Sequence, residues 1–200
     1  MVNVKHSERL SLINLLSDVN NCKLCTDELP HNPRPVFSVS TSARLLIIGQ
    51  APGAKVHESG VPWADLSGHR LRQWLNINES VFYDKTRVAL MPMGFCYPGK
   101  GSSGDLPPRP ECASQWHKRL LFEMPDVQLT LLIGLYAQRH YLSSCLDTLT
   151  DTVAGWREYL PQYFPLPHPS PRNNIWLKKN PWFEKEVLPN LQELTRIALA

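Results

Sequence analysis

Short, nearly continuous apolar runs alternate with amphipathic stretches along this chain. Residues 43–49 (Ala-Arg-Leu-Leu-Ile-Ile-Gly), 87–93 and 127–133 (Val-Gln-Leu-Thr-Leu-Leu-Ile) have the pattern of strands buried on both faces. A shorter run at 163–166 predicts a fourth strand. Between them, residues 6–20 cluster Leu10, Leu12, Ile13, Leu15 and Leu16 toward one side, as a helix would. Residues 67–75 place Leu71, Trp74 and Leu75 on one stripe, and 111–122 and 182–198 read as two further helices. Strand–helix alternation predicts a three-layer α/β/α sandwich around a central, mostly parallel four-stranded sheet, with right-handed crossovers. Such sheets bind ligands at the carboxyl ends of their strands. Residues 49–53, 93–98 and 168–173 belong at that edge.

Composition narrows the class. A chain of 200 residues, 42% hydrophobic, predicts one domain over 1–200 with a single core. No run approaches the ~20 apolar residues that span a bilayer, and no apolar segment of a secretion signal follows the first six residues. The expectation is a cytoplasmic monomer that is not bound to membrane. The net charge of +3 permits an anionic partner without demanding one. The 18 prolines cluster at 30–35, 92–110 and 161–181, which reads as stiffened loops carrying function on a rigid scaffold.

Four of the 5 cysteines change the picture further. Cys22 and Cys25 form C-x2-C, and Cys96 and Cys112 form C-x15-C across a loop containing Pro98-Gly99. In a reducing compartment this pattern favours a tetrathiolate metal centre over disulfides. The spacing does not separate zinc from iron–sulfur, because both accept four thiolates. Cys145, in an apolar segment, reads as a buried small hydrophobe.

Two loops at the predicted edge carry specific chemistry. Gly49-Gln50-Ala51-Pro52-Gly53 follows a buried strand, with Gly60-Val61-Pro62-Trp63 and Ser67-Gly68 after it. It is not a nucleotide-binding P-loop, since the G-x4-G-K-[ST] string is absent and Pro52 lacks an N–H for a phosphate. Its glycines allow close backbone approach to a planar ligand, and Trp63 offers a stacking face. The other loop, His168-Pro169-Ser170-Pro171-Arg172-Asn173, sets a histidine, a hydroxyl and a guanidinium in a proline frame suited to a phosphate contact.

Taken in order, these segments resemble the uracil-DNA glycosylase superfamily, and most closely its iron–sulfur branch, usually called family 4. The matching residues are Cys22-Lys23-Leu24-Cys25, Gly49-Gln50-Ala51-Pro52-Gly53, Gly60-Val61-Pro62-Trp63 through Gly68, Cys96-Tyr97-Pro98-Gly99 through Cys112, and His168-Pro169-Ser170. The resemblance spans about residues 10–197. The resemblance implies a [4Fe–4S] cluster on Cys22, Cys25, Cys96 and Cys112, with zinc as the alternative. It also implies excision of uracil or another deaminated base from single- or double-stranded DNA, after the nucleotide is extruded from the stack.

The resemblance assigns roles residue by residue. His168 stabilises the anionic leaving base, a contribution of ~3–4 kcal/mol for a well-placed donor. Trp63 replaces the family phenylalanine that stacks on the base, and Gln50 and Ala51 meet the base edge. Ser170, Arg172, Lys100 and Arg109 face the DNA backbone. Gln50 stands where the family has an acid and His57 where it has a second, so water activation falls to Glu58, His57 or Asp65. Pro92, flanked by Met91 and Met93, replaces the asparagine that reads uracil, so the pocket near Met93 is looser or suits another base. The alternative is a catalytically reduced member that binds nucleic acid without excising a base.

Overall fold

The computed structural model describes residues 2–144 and 146–200, with side chains from residue 11 onward. The readings of Leu10 as a core position and of Cys145 as a buried hydrophobe lie outside the described residues. Four strands, β1 (Leu45–Ile48), β2 (Val88–Leu90), β3 (Leu129–Ile133) and β4 (Tyr163–Leu166), form one sheet in the order β2-β1-β3-β4. Every pairing is parallel, with Leu45 opposite Val88 and Leu129, and Thr130 opposite Tyr163.

Alternation along the strands builds the layers. Leu45 and Ile47 of β1 enter one core with Leu131, Ile133, Phe164 and Leu166, while Leu46 and Ile48 enter another with Leu132 and Ala89. The first core is closed by α3 (Leu66–Leu75) through Leu71, Trp74 and Leu75, by α7 (Leu149–Ala154) through Val153, and by α9 (Leu188–Ala198) through Leu191. The second is closed by α1 (Val2–Asn20) through Leu12, Leu15 and Val19, by α5 (Pro110–Phe122) through Trp116 and Leu120, and by α6 (Leu135–Tyr141) through Ala137. Both faces of the parallel sheet are covered, and the result is the expected three-layer α/β/α fold.

Four details differ from the pattern-based expectation. Ile13 is 56% exposed and stands off the core stripe of α1. β2 ends at Leu90 because Pro92 has no N–H for the ladder, although the Met91 and Met93 amides still reach the Ile47 and Gly49 carbonyls at 3.0 and 2.9 Å. The closing helix is interrupted by a wide π-turn at Phe183–Val187, since Pro189 has no N–H to return to the preceding turn. α2 (Ala54–Ser59), α4 (Glu79–Phe82), α6, α7 and α8 (Asn174–Lys179) have at most seven residues, too few to show a helical period. Local caps start two of them: Asn78 accepts from the Val81 amide and Thr148 from the Asp151 amide.

The arm between α1 and β1 also protects the sheet edge. Ser38 exchanges backbone hydrogen bonds with Leu90, at 2.8 and 2.6 Å, so the open side of β2 is paired. Among the described residues, no helix is long and apolar enough to cross a membrane.

Candidate functional site

The crossover from β1 leads to β2 on one side, and the chain then returns to β3 on the other side of β1, so the order of strands switches at β1 while all of them stay parallel. The crevice beyond that point is where parallel sheets of this kind bind ligands. A cavity of about 460 Å³ opens there. Its walls are the turn Gly49–Gly53 after β1, Pro62, Trp63, Asp65 and Ser67 before and within α3, Pro92 after β2, Ser103–Asp105, and His168, Ser170, Arg172 and Asn173 after β4.

Trp63 is held under strain to reach its place. The Ala64 amide bonds back to the Val61 carbonyl, with Pro62 at the second turn position and Trp63 at the third, where φ is +58°. That arrangement suits glycine, and a bulky residue there costs about 1–3 kcal/mol. Two glycines make the room. A Cβ on Gly68 would overlap the Trp63 carbonyl, and one on Gly49 would lie 2.7 Å from the indole Cζ2. The indole then stacks against the His168 ring, with centroids 5.8 Å apart and planes at 29°.

His168 is fixed by its own loop. Its Nδ1 accepts the Ser170 amide at 3.2 Å, and its carbonyl accepts the Asn173 side-chain amide at 2.7 Å. An Nδ1 that accepts leaves the proton on Nε2. Desolvation lowers the imidazole pKa below its ordinary value, against the opposing pull of Asp65 and Asp105. The ring is therefore a neutral donor at pH 7. Arg70 bonds the Ser170 carbonyl at 3.1 Å, tying α3 to this loop.

The structure gathers Gln50, Ala51, Trp63, Asp65, His168, Ser170 and Arg172 around the cavity. Other sequence candidates lie elsewhere. Met93 is buried in the core between the sheet and α5, and its amide is taken by Gly49; Pro92 lines the cavity in its stead. Glu58 is exposed on α2 and does not line the cavity. His57 turns into a ring stack with His31, at 5.2 Å, and Tyr97, at 5.8 Å. Lys100 is exposed at the base of a hairpin, bridged to Asp105.

Arg109 departs furthest from its expected place. It lines a second cavity, paired with Glu111 at 2.6 Å and Glu28 at 3.3 Å, and it hydrogen-bonds Cys25. Cys22, Cys25, Cys96 and Cys112 all line that cavity, with Leu29, Pro33, Pro35, Phe95 and Trp116. Burial pushes the Cys96 thiol up to about 11 and Cys112 up to about 12, so bare thiolates would be unfavourable there. Main-chain N–H groups nevertheless point at two sulfurs: Phe95 donates to Cys112 at 3.3 Å and Arg34 to Cys96. The indole Nε1 of Trp116 is buried with no partner. Among the described residues no three Cys, His, Asp or Glu are gathered closely enough for a single metal ion. Four thiols lining one cavity, two of them accepting main-chain N–H groups, are a donor set that suits thiolate ligation of a metal centre.

Sequence reasoning missed several residues. Asp105 lines the main cavity, and the Gly99-Lys100-Gly101-Ser102-Ser103-Gly104 run before it was a hairpin signal. His117 is buried behind Pro92: its Nε2 meets the Pro92 carbonyl at 3.1 Å, and its Nδ1 meets the Tyr141 hydroxyl at 2.6 Å. Since the carbonyl can only accept, Nε2 carries the proton and Nδ1 accepts from tyrosine. No local signal marks this pair, whose members lie far apart in sequence.

The sequence model of the uracil DNA glycosylase superfamily matches residues 37–192. The match takes in all four strands and the three loops around the main cavity, and begins after Cys22 and Cys25.

Proposed function

The chain belongs to the uracil DNA glycosylase superfamily, and from that premise we propose that it is a monofunctional DNA glycosylase hydrolysing the N-glycosidic bond of uracil or another deaminated base in DNA. The observation that carries this reading is the Trp63–His168 pair in the cavity at the carboxyl edge of the sheet. An extruded base stacks on the indole, and the neutral His168 donates from Nε2 to the base carbonyl on which negative charge develops. A neutral imidazole suits the task, because it stabilises an anion without first binding a proton from solvent. Gln50, whose amide both donates and accepts, takes the polar base edge that Pro92 cannot serve. Ser170 and Arg172, on the same rim, hold the phosphodiester backbone.

The second cavity is read as the seat of a [4Fe–4S] cluster on Cys22, Cys25, Cys96 and Cys112. Such a cluster would supply a rigid cross-link between the N-terminal arm and the loop that follows β2. The Phe95 and Arg34 amides, which donate to the Cys112 and Cys96 sulfurs, would stabilise those two as thiolate ligands.

The test is incubation of the purified protein with oligonucleotides carrying one uracil, hypoxanthine or xanthine, followed by alkali. Strand scission at the modified position is the expected result. No scission with any of the three would promote the alternative, a nucleic-acid-binding relative that does not excise.

A further inference from the structure

This inference rests on the base-excision reading and concerns a residue that neither the motif pattern nor the family match assigns. A hydrolytic glycosylase needs a carboxylate near the sugar, both to take a proton from water and to face the positive charge that develops at C1′. The turn after β1 offers Gln50 instead. Glu58 and His57 do not line the cavity, and the Glu58 and His57 carbonyls are occupied by Arg34. Asp65 lines it, but its Oδ1 accepts the Gly68 amide at 2.8 Å and caps α3. Among the described residues, Asp105 is the other carboxylate in the wall.

We propose that Asp105 is the water-activating carboxylate of this chain, supplied to the cavity by the hairpin between the third and fourth cysteines. Its Oδ2 lies 3.4 Å from where a Cβ of Gly53 would stand, hard against the turn that contains Gln50. Among the described residues its one side-chain hydrogen-bond partner is the Tyr97 hydroxyl at a loose 3.5 Å, so lone pairs are left for water. The hairpin that carries it is braced. Lys100 and Asp105 pair through their backbones as an antiparallel β-bridge, the Gly101 amide reaches the Gly104 carbonyl at 2.6 Å, and the Leu106 amide reaches the Gly99 carbonyl at 2.9 Å. The Arg172 guanidinium lies across Gly104, 2.5 Å from where a Cβ would be, so a DNA-facing residue of the His168 loop clamps the hairpin. Asp105 also acts on His168 through charge, which places the two on one cavity.

The step balances with water as the co-reactant. The water oxygen bonds to C1′ and gives its proton to Asp105 as the N-glycosidic bond breaks. The bond's electron pair leaves on the base, whose carbonyl oxygen is held by the Nε2 proton of His168. The proton on Asp105 then passes through solvent to the released base, restoring the carboxylate.

The experiment compares single-turnover base release by wild type, Asp105→Asn, Asp105→Glu and Asp65→Asn, with thermal melting and DNA affinity measured on each. Asp105→Asn should slow release by ~10²-fold or more while DNA affinity holds, since general-base groups contribute ~10²–10⁴. Asp105→Glu should recover at least about tenfold of that loss, as expected if a carboxylate rather than the local fold is what matters. Asp65→Asn should mainly lower the melting temperature. An active wild type with Asp105→Asn within about threefold of it overturns Asp105 alone and leaves base excision standing. A larger loss in Asp65→Asn than in Asp105→Asn transfers the role to Asp65. A wild type that releases no base removes both readings together. If Asp105→Asn fails to fold, a folded Asp105→Glu no faster than ~10⁻² of wild type, with a shift of the same size in DNA affinity, overturns the proposal.

Discussion

The two cavities are built by opposite means. The main cavity, where we propose the base binds, exists because four parallel strands end on one side, so loops far apart in sequence converge, and its wall mixes apolar residues such as Val56, Pro62 and Trp63 with Gln50, Asp65, Asp105, His168 and Arg172. The cysteine cavity lies off that edge, between the arm after α1 and the start of α5, and its wall is mostly apolar around four thiols. A sheet edge comes free with the topology, and its residues can change while the cavity persists. A cavity made by loops has no such frame and depends on what its side chains bind. The 92–112 segment serves both, with Pro92 and Asp105 in one wall and Cys96, Arg109 and Cys112 in the other.

That contrast is broken most strongly by single replacements at each cavity. Cys96→Ala should remove the brown colour expected of a thiolate-ligated cluster and lower the melting temperature by about 10 °C or more, because a lost structural metal centre costs several kcal/mol. His168→Ala should leave colour and melting nearly unchanged and slow base release by ~10²-fold or more. Absorption near ~400 nm, melting curves and single-turnover rates on the two variants check this pair. A Cys96→Ala protein that melts with wild type would contradict a cross-linking role for the thiols.

How much of this was legible follows from the same contrast. Residues at strand ends were placed by pattern alone, because a parallel sheet fixes where Gly49–Gly53 and His168 must lie. Thiol spacing likewise brought Cys22, Cys25, Cys96 and Cys112 to one cavity. Residues on short helices were not legible. α2 turns His57 toward His31 and Tyr97 and leaves Glu58 outside, a rotation that six residues cannot reveal. Arg109 looked like a free cation in a basic loop, yet Glu111 two residues on and Glu28 on the arm claim it. Asp105 was hidden because a hairpin, not a strand end, delivers it.

His117 joins the two cavities and makes them fail together in acid. Its ring stacks on Phe95 of the cysteine cavity at 5.6 Å, and its Nε2 holds the Pro92 carbonyl behind the base cavity. Burial pulls its pKa from 6.5 down to about 4. The unfolded chain takes up a proton near 6.5 that the folded chain refuses until about 4. Stability is therefore fully present above about 6.5 and is lost as pH falls from there to about 4, by about 3 kcal/mol in all. Urea unfolding at pH 7 and pH 5 should show this loss in wild type and a smaller one in His117→Gln, which cannot titrate. An equal acid loss in both would assign the effect to other groups.

The smallest effect separates two arginines that the sequence could not tell apart. Arg172 lines the cavity at the carboxyl edge of the sheet, where the proposed function puts DNA, whereas Arg109 is held by Glu28, Glu111 and Cys25 at the other cavity. A guanidinium that neutralises a phosphate releases counterions, so removing it makes the log–log dependence of affinity on salt shallower by about one. Arg172→Ala should show that change in a titration of DNA binding across salt concentrations. Arg109→Ala should leave the slope alone and instead lower the melting temperature, since it frees two carboxylates and strips a donor from Cys25. Equal changes of slope in both variants would place DNA over both cavities and erase the division of labour between them. A change in Arg172→Ala alone would put the DNA strand along the rim that carries Ser170 and His168, as the proposed function requires.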